Sequence, residues 1–95
     1  MKPSDEFATP LRVMAVDDDE SALEILGAYC GDFGFRFYGL EDPEEAVEYA
    51  ASIIPDVILT DAMMPVVSGF ELCRRMREHP ALALVPIVMI TSLDA

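Results

Sequence analysis

The stretch Val57-Ile58-Leu59-Thr60-Asp61-Ala62-Met63-Met64-Pro65-Val66-Val67-Ser68-Gly69 decides how this chain folds. It opens as an apolar run and stops at Asp61. A short apolar run bounded by turn residues fits a strand covered on both faces. A carboxylate at the end of such a strand points into the crevice where open α/β sheets take their ligands. Pro65 then removes a backbone donor and fixes one dihedral. Gly69 relaxes the loop ahead of a helix that begins at Phe70.

The same grammar repeats on either side. Leu11 to Val16 is a β-type run that ends in Asp17-Asp18-Asp19-Glu20. Ala22, Leu23, Ile25, Leu26, Tyr29 and Cys30 follow at helical spacing, which predicts an amphipathic helix over residues 20 to 32. Asp19 or Ser21 caps it, and Gly31 and Gly34 stop it. Phe35 to Leu40 reads as a second strand. Asp42 caps a second helix with Pro43 at its first position, and Ala46, Val47, Ala50, Ile53 and Ile54 form its apolar stripe up to Pro55. Downstream, a third helix spans residues 70 to 78 with Phe70, Leu72, Cys73 and Met76 inward. Pro80 ends it. Val85 to Ile90 forms the fourth strand, running out in Thr91-Ser92.

The order βαβαβαβ implies a parallel sheet with right-handed crossovers and helices on both faces. In such a sheet Asp17/Asp18, Asp61 and Thr91/Ser92 share one edge. Acids and hydroxyls from three distant places thus converge on one crevice. Two carboxylates ~5 Å apart repel by roughly 3 kcal/mol at an effective dielectric near 20. Either one acid keeps its proton or a cation resolves the conflict. Oxygen ligands without His or Cys suit Mg²⁺ or Mn²⁺. A metal held by Asp18 and Asp61 leaves an Asp61 oxygen free as a nucleophile toward phosphorus. The Thr91 hydroxyl and the amides after it are placed to hydrogen-bond phosphoryl oxygens.

Composition narrows the field. The chain has 95 residues, enough for one small domain, with 53% hydrophobic and 25% charged residues, which excludes a disordered chain. Six Lys+Arg face 18 Asp+Glu, for a formal charge of −12. That balance argues against direct nucleic-acid binding and against anionic membrane surfaces, and favours cations or basic partners. No signal peptide or run of ~20 apolar residues is present, so the chain reads as cytoplasmic. Cys30 and Cys73 read as buried thiols, and Met63, Met64 and Met89 as core filler. His79, before Pro80 at a helix end, reads as a cap position favoured by the dipole and not as a catalytic group, and Arg74, Arg75 and Arg77 read as a solvated face.

Val16-Asp17-Asp18, Asp61 with Met64-Pro65 and Gly69, and Ile90-Thr91-Ser92 together resemble the receiver domain of two-component response regulators. The resemblance runs from about Arg12 to the last residue. It implies a flavodoxin-like, doubly wound α/β sheet of strand order 2-1-3-4. It divides the chain into a flexible lead-in, residues 1 to 10, and a partial receiver domain, residues 11 to 95. It implies that Asp61 accepts phosphate from a histidine kinase or phosphotransfer protein. Mg²⁺ would be held by Asp18, Asp61 and the Met63 carbonyl, with Asp17 helping through water. Thr91 would contact the phosphoryl group and start a conformational switch, with the backbone of Ala62 and Ser92 in support. Against the family pattern, the fifth strand with its lysine, the switch aromatic and the last two helices are absent, and the one lysine is Lys2. The chain therefore reads as a fragment or truncated product, with an exposed fourth strand and uncovered sheet faces that invite self-association. Two other functions fit the same residues: a degenerate receiver that binds partners without phosphorylation, and an Mg²⁺-dependent phosphatase with an aspartyl nucleophile.

Overall fold

The computed structural model describes residues 9 to 91. Within them the chain runs β1 (Arg12–Val16), α1 (Glu20–Asp32), β2 (Arg36–Leu40), α2 (Ala46–Ile53), β3 (Val57–Asp61), α3 (Gly69–Glu78) and β4 (Ile87–Ile90). The strands form one parallel sheet in the order β2-β1-β3-β4, as expected. Most of the lead-in (residues 1 to 8) and Ser92 lie outside the described residues.

β1 lies between β2 and β3, and helices cover both of its faces. Met14 and Val16 point to one face, Val13 and Ala15 to the other, and all four are at most 5% exposed. This is why its sequence is apolar without alternation. Met14, Val16 and Ile58 pack with Ala46 and Ala50 of α2 and with Leu72 and Met76 of α3, in one core. α1 covers the opposite face against β1 and β2.

Helix starts follow short-range chemistry. Asp19 Oδ1 accepts from the Ser21 amide at 2.9 Å, Asp42 Oδ1 from Glu44 at 2.9 Å, and Ser68 Oγ from Glu71 at 3.1 Å. Each satisfies one amide that the first turn leaves without a partner. Pro43 opens a 3₁₀ turn, Pro43–Glu45, and α2 proper begins only at Ala46. α2 ends at Ile54, which takes a left-handed conformation with φ 46°. Proline disfavours helical backbone in the residue before it, so Pro55 acts one position upstream.

Several inward assignments are corrected. Ile25 and Tyr29 of α1 are 57% and 61% exposed. They flank the buried line of Leu23 and Cys30, and no described residue covers them. In α3 the buried line is Gly69, Leu72 and Met76, spaced three and four apart, which turns Phe70 outward and leaves Cys73 half-buried. Met63 is 76% exposed rather than core filler. His79 sits at a helix end as a cap, as expected, closing α3. Its Nδ1 accepts from the Ala81 amide at 3.1 Å, capping the 3₁₀ turn Pro80–Leu82, which requires that nitrogen unprotonated.

The arginines of α3 divide their work. Arg74 and Arg75 both bind Glu71, at 2.6 and 3.0 Å, and hold its carboxyl down at about 2. Such exposed pairs contribute little to stability. Arg77 instead reaches the loop before β4. Its Nη1 donates to the carbonyls of Leu82, Ala83 and Val85 at 3.0, 3.2 and 2.7 Å. No described helix is long and apolar enough to cross a membrane.

Candidate functional site

The C-terminal ends of β1 and β3 bring the acids together. One carboxylate oxygen from each of Asp17, Asp18 and Asp61 lies within 4.8 Å of the other two. In the sequence Asp61 lies 43 or more positions from the adjacent pair Asp17 and Asp18. Parallel pairing of Val16 with Thr60 sets the two strand ends level, so the residues that follow meet.

Local hydrogen bonds aim the side chains. Asp17 Oδ1 accepts from the Asp19 amide at 2.9 Å, and the Asp17 amide donates to the Leu40 carbonyl at 3.1 Å. Asp61 Oδ1 accepts from the Met63 amide at 3.1 Å. The expectation that the Ala62 amide faces the site is corrected. That amide donates to the Ile90 carbonyl at 2.9 Å, continuing the sheet, and Met63 supplies the amide at the carboxylate. Thr91 follows β4, whose Ile90 lies opposite Asp61, and is exposed at the same edge.

Gly69 has a role the sequence reading missed. Its φ is not left-handed, so it does not serve to relax the loop. A Cβ there would lie 2.3 Å from the Asp61 carbonyl oxygen and 2.9 Å from Ala62 Cα. The Gly69 amide donates to the Ala62 carbonyl at 3.0 Å. The first turn of α3 thus sits directly against the backbone that carries Asp61, which only glycine permits.

Electrostatics bear out the conflict among the acids. The Asp17 carboxyl is raised above 3.8, first by loss of solvent and then, against the Asp19 amide's opposing pull, by the charges of Asp61, Asp18 and Asp19. A raised acid holds its proton more tightly folded than unfolded. Metal-free protein is therefore expected to lose stability from this group as pH climbs from 3.8 through the raised value. Asp17→Asn is expected to flatten that fall in melts run with chelator from pH 3.8 upward, the Glu71 contribution being common to both proteins. Identical slopes in the two proteins would remove the assignment. The donor set fits a hard divalent cation: three carboxylates without sulfur or imidazole, one buried enough to feel the repulsion.

Comparison with known proteins agrees with this arrangement. Residues 13 to 95 match the family described as response regulator receiver domain. The chain is 36% identical over 83 residues to the response regulator PleD of Caulobacter vibrioides, covering 87% of this chain and 18% of PleD. It is 39% identical over 80 residues to the phosphate regulon transcriptional regulatory protein PhoB of Rhizobium meliloti, covering 83% of this chain and 35% of that protein. Among solved structures, the chemotaxis protein CheY4 of Vibrio cholerae superposes with a TM-score of 0.85 at 31% identity, over 92% of this chain and 72% of CheY4. The chain spans well under half the length of these two curated relatives.

A four-stranded parallel sheet with an acidic triad at its C-terminal edge defines a signalling module of the two-component type. The chain belongs to the response regulator receiver domain family.

Proposed function

We propose that Asp61 is the phosphoacceptor of a two-component relay, taking its phosphoryl group from a histidine kinase or a phosphotransfer protein. The observation that carries this is the convergence of Asp17, Asp18 and Asp61 within 4.8 Å. A free Asp61 oxygen bonds to phosphorus as the donor's phosphorus–nitrogen bond breaks, and the imidazole leaves with the electron pair. Asp18, Asp61 and the Met63 carbonyl would hold Mg²⁺, with Asp17 helping through water and Mn²⁺ as the close substitute. When bound, that cation neutralises charge between the carboxylates and the incoming phosphoryl oxygens. The Met63 amide, already at the Asp61 carboxylate, stays to bond a phosphoryl oxygen. The Thr91 hydroxyl and the Ser92 backbone supply further contacts, and movement of Thr91 toward the phosphoryl group begins the switch. The module turns over no external substrate beyond its own phosphorylation and dephosphorylation.

The test is intact-mass spectrometry after incubation with acetyl phosphate and Mg²⁺. One phosphoryl adduct is expected on the wild-type chain and none on Asp61→Asn or after chelation. Absence of the adduct from the wild type, or its survival in Asp61→Asn, overturns the reading. A receiver domain from Klebsiella pneumoniae RstA, 32% identical with a TM-score of 0.77, is described as BeF3-activated. Beryllofluoride is accordingly expected to raise the melting temperature of the wild type and not of Asp61→Asn.

A further inference from the structure

We propose that the cleft between α1 and β2 is a docking site for a basic, partly apolar segment of another protein. The cleft has a volume of about 600 Å³ and opens on the side of the sheet away from β4. That is room for one or two large side chains. Its floor is apolar. Leu23 of α1 and Phe37 of β2 form it around Gly27 and Gly39, while the Leu40 side chain packs into the core on the other sheet face. Two glycines keep the floor flush: a Cβ on Gly27 or Gly39 would come to 3.1 or 3.0 Å from the Phe37 ring. Its rim is entirely acidic. Glu20 and Glu24 line one wall, and Glu41, Asp42 and Glu45 the other. None of these carboxylates takes part in an ion pair among the described residues.

Apolar floor and anionic rim together select the occupant. Lys and Arg lay their methylene stems along apolar surface and keep the charged head at the edge. A guanidinium here would stack on the Phe37 ring while meeting carboxylates on both walls. A second copy of this chain is a poor occupant. Its own arginines on α3 are engaged, Arg74 and Arg75 with glutamates and Arg77 with three carbonyls. Arg12 donates to the Ile53 carbonyl, and the exposed Arg36 stands alone among the described residues against a formal charge of −12 for the whole chain. The cleft also touches the phosphoacceptor edge. Leu40, in its wall, accepts the Asp17 amide through its carbonyl at 3.1 Å. An occupant there would sense the position of β1's acidic end.

The test uses ¹⁵N-labelled protein with saturating Mg²⁺ at physiological salt. The probe is a short end-capped peptide of alternating arginine and leucine, and the control is the same peptide with serine for leucine. Saturable shifts confined to Leu23, Gly27, Phe37, Gly39 and their neighbours are expected with the first peptide. The double variant Glu24→Lys/Glu41→Lys is expected to weaken it at least about tenfold, since like charges across an interface cost more than 1.4 kcal/mol. The charge-matched variant Asp32→Lys/Glu48→Lys, altered outside the cleft, is expected to bind as the wild type does. Four results would each overturn the proposal: shifts scattered over the acidic surface, equal weakening by both double variants, equal affinity for the serine peptide or for spermidine, or no binding at millimolar peptide.

Discussion

Gly69→Ala is expected to lower the melting temperature by about 12 to 24 °C, a large effect for one added methyl group. The added carbon would sit 2.3 Å from the Asp61 carbonyl oxygen, deep inside contact distance. The neighbour is backbone, so no side chain can rotate away. Either α3 lifts from the sheet or the β3–α3 loop moves. Overpacking of this kind costs about 3 kcal/mol, and each kcal/mol is worth about 4 to 8 °C in a domain this small. The first route uncovers Leu72 and Met76, both fully buried. The second displaces Asp61 from Asp17 and Asp18, so Mg²⁺ affinity is expected to fall as well. A melt followed by circular dichroism, with and without metal, checks both. A variant that melts within 2 or 3 °C of the wild type, about half a kcal/mol, would show that the close approach is not a constraint.

Mg²⁺ is expected to raise the melting temperature by a comparable amount, and Asp18→Asn to remove most of that rise. Binding to the folded chain alone stabilises it by about 2.7 kcal/mol when the free ion stands at 100 times its dissociation constant. In a domain of this size that is about 11 to 22 °C. The variant has a second, opposite signature. Without metal the three acids repel, which adds to loss of solvent in holding the Asp17 proton above the ordinary range. Removing the Asp18 charge relieves that strain, so metal-free Asp18→Asn is expected to melt at or above the wild type. No thermal shift at millimolar Mg²⁺, or an equal shift in Asp18→Asn, would sink the cation pocket.

The fold was legible because strand and helix periods alternate cleanly, and because Asp17, Asp61 and Thr91 each close an apolar run. Strand ends are easy to see where a buried stretch stops at a charge. What the sequence hid was contact between backbones. Gly69 looked like a loop-softening residue because a pattern of side chains says nothing of a carbonyl pressed against a helix turn. The Ala62 amide looked available because nothing short of the register shows that Ile90 has taken it. Ile25, Tyr29 and Phe70 looked inward because apolar residues at helical spacing define a stripe broader than the face the helix buries. The acidic cleft was hidden for a further reason. Its walls come from α1 and from the turn after β2, and Glu41 to Glu45 taken alone is an ordinary solvated helix start.

The Arg77 contacts give α3 two anchors of different kinds. At its leading end the helix is wedged under the Asp61 loop by a glycine with no space to spare. At its trailing end one guanidinium nitrogen grips three carbonyls of the segment that feeds β4. The helix is therefore tied at both ends, to the backbone that carries Asp61 and to the root of β4.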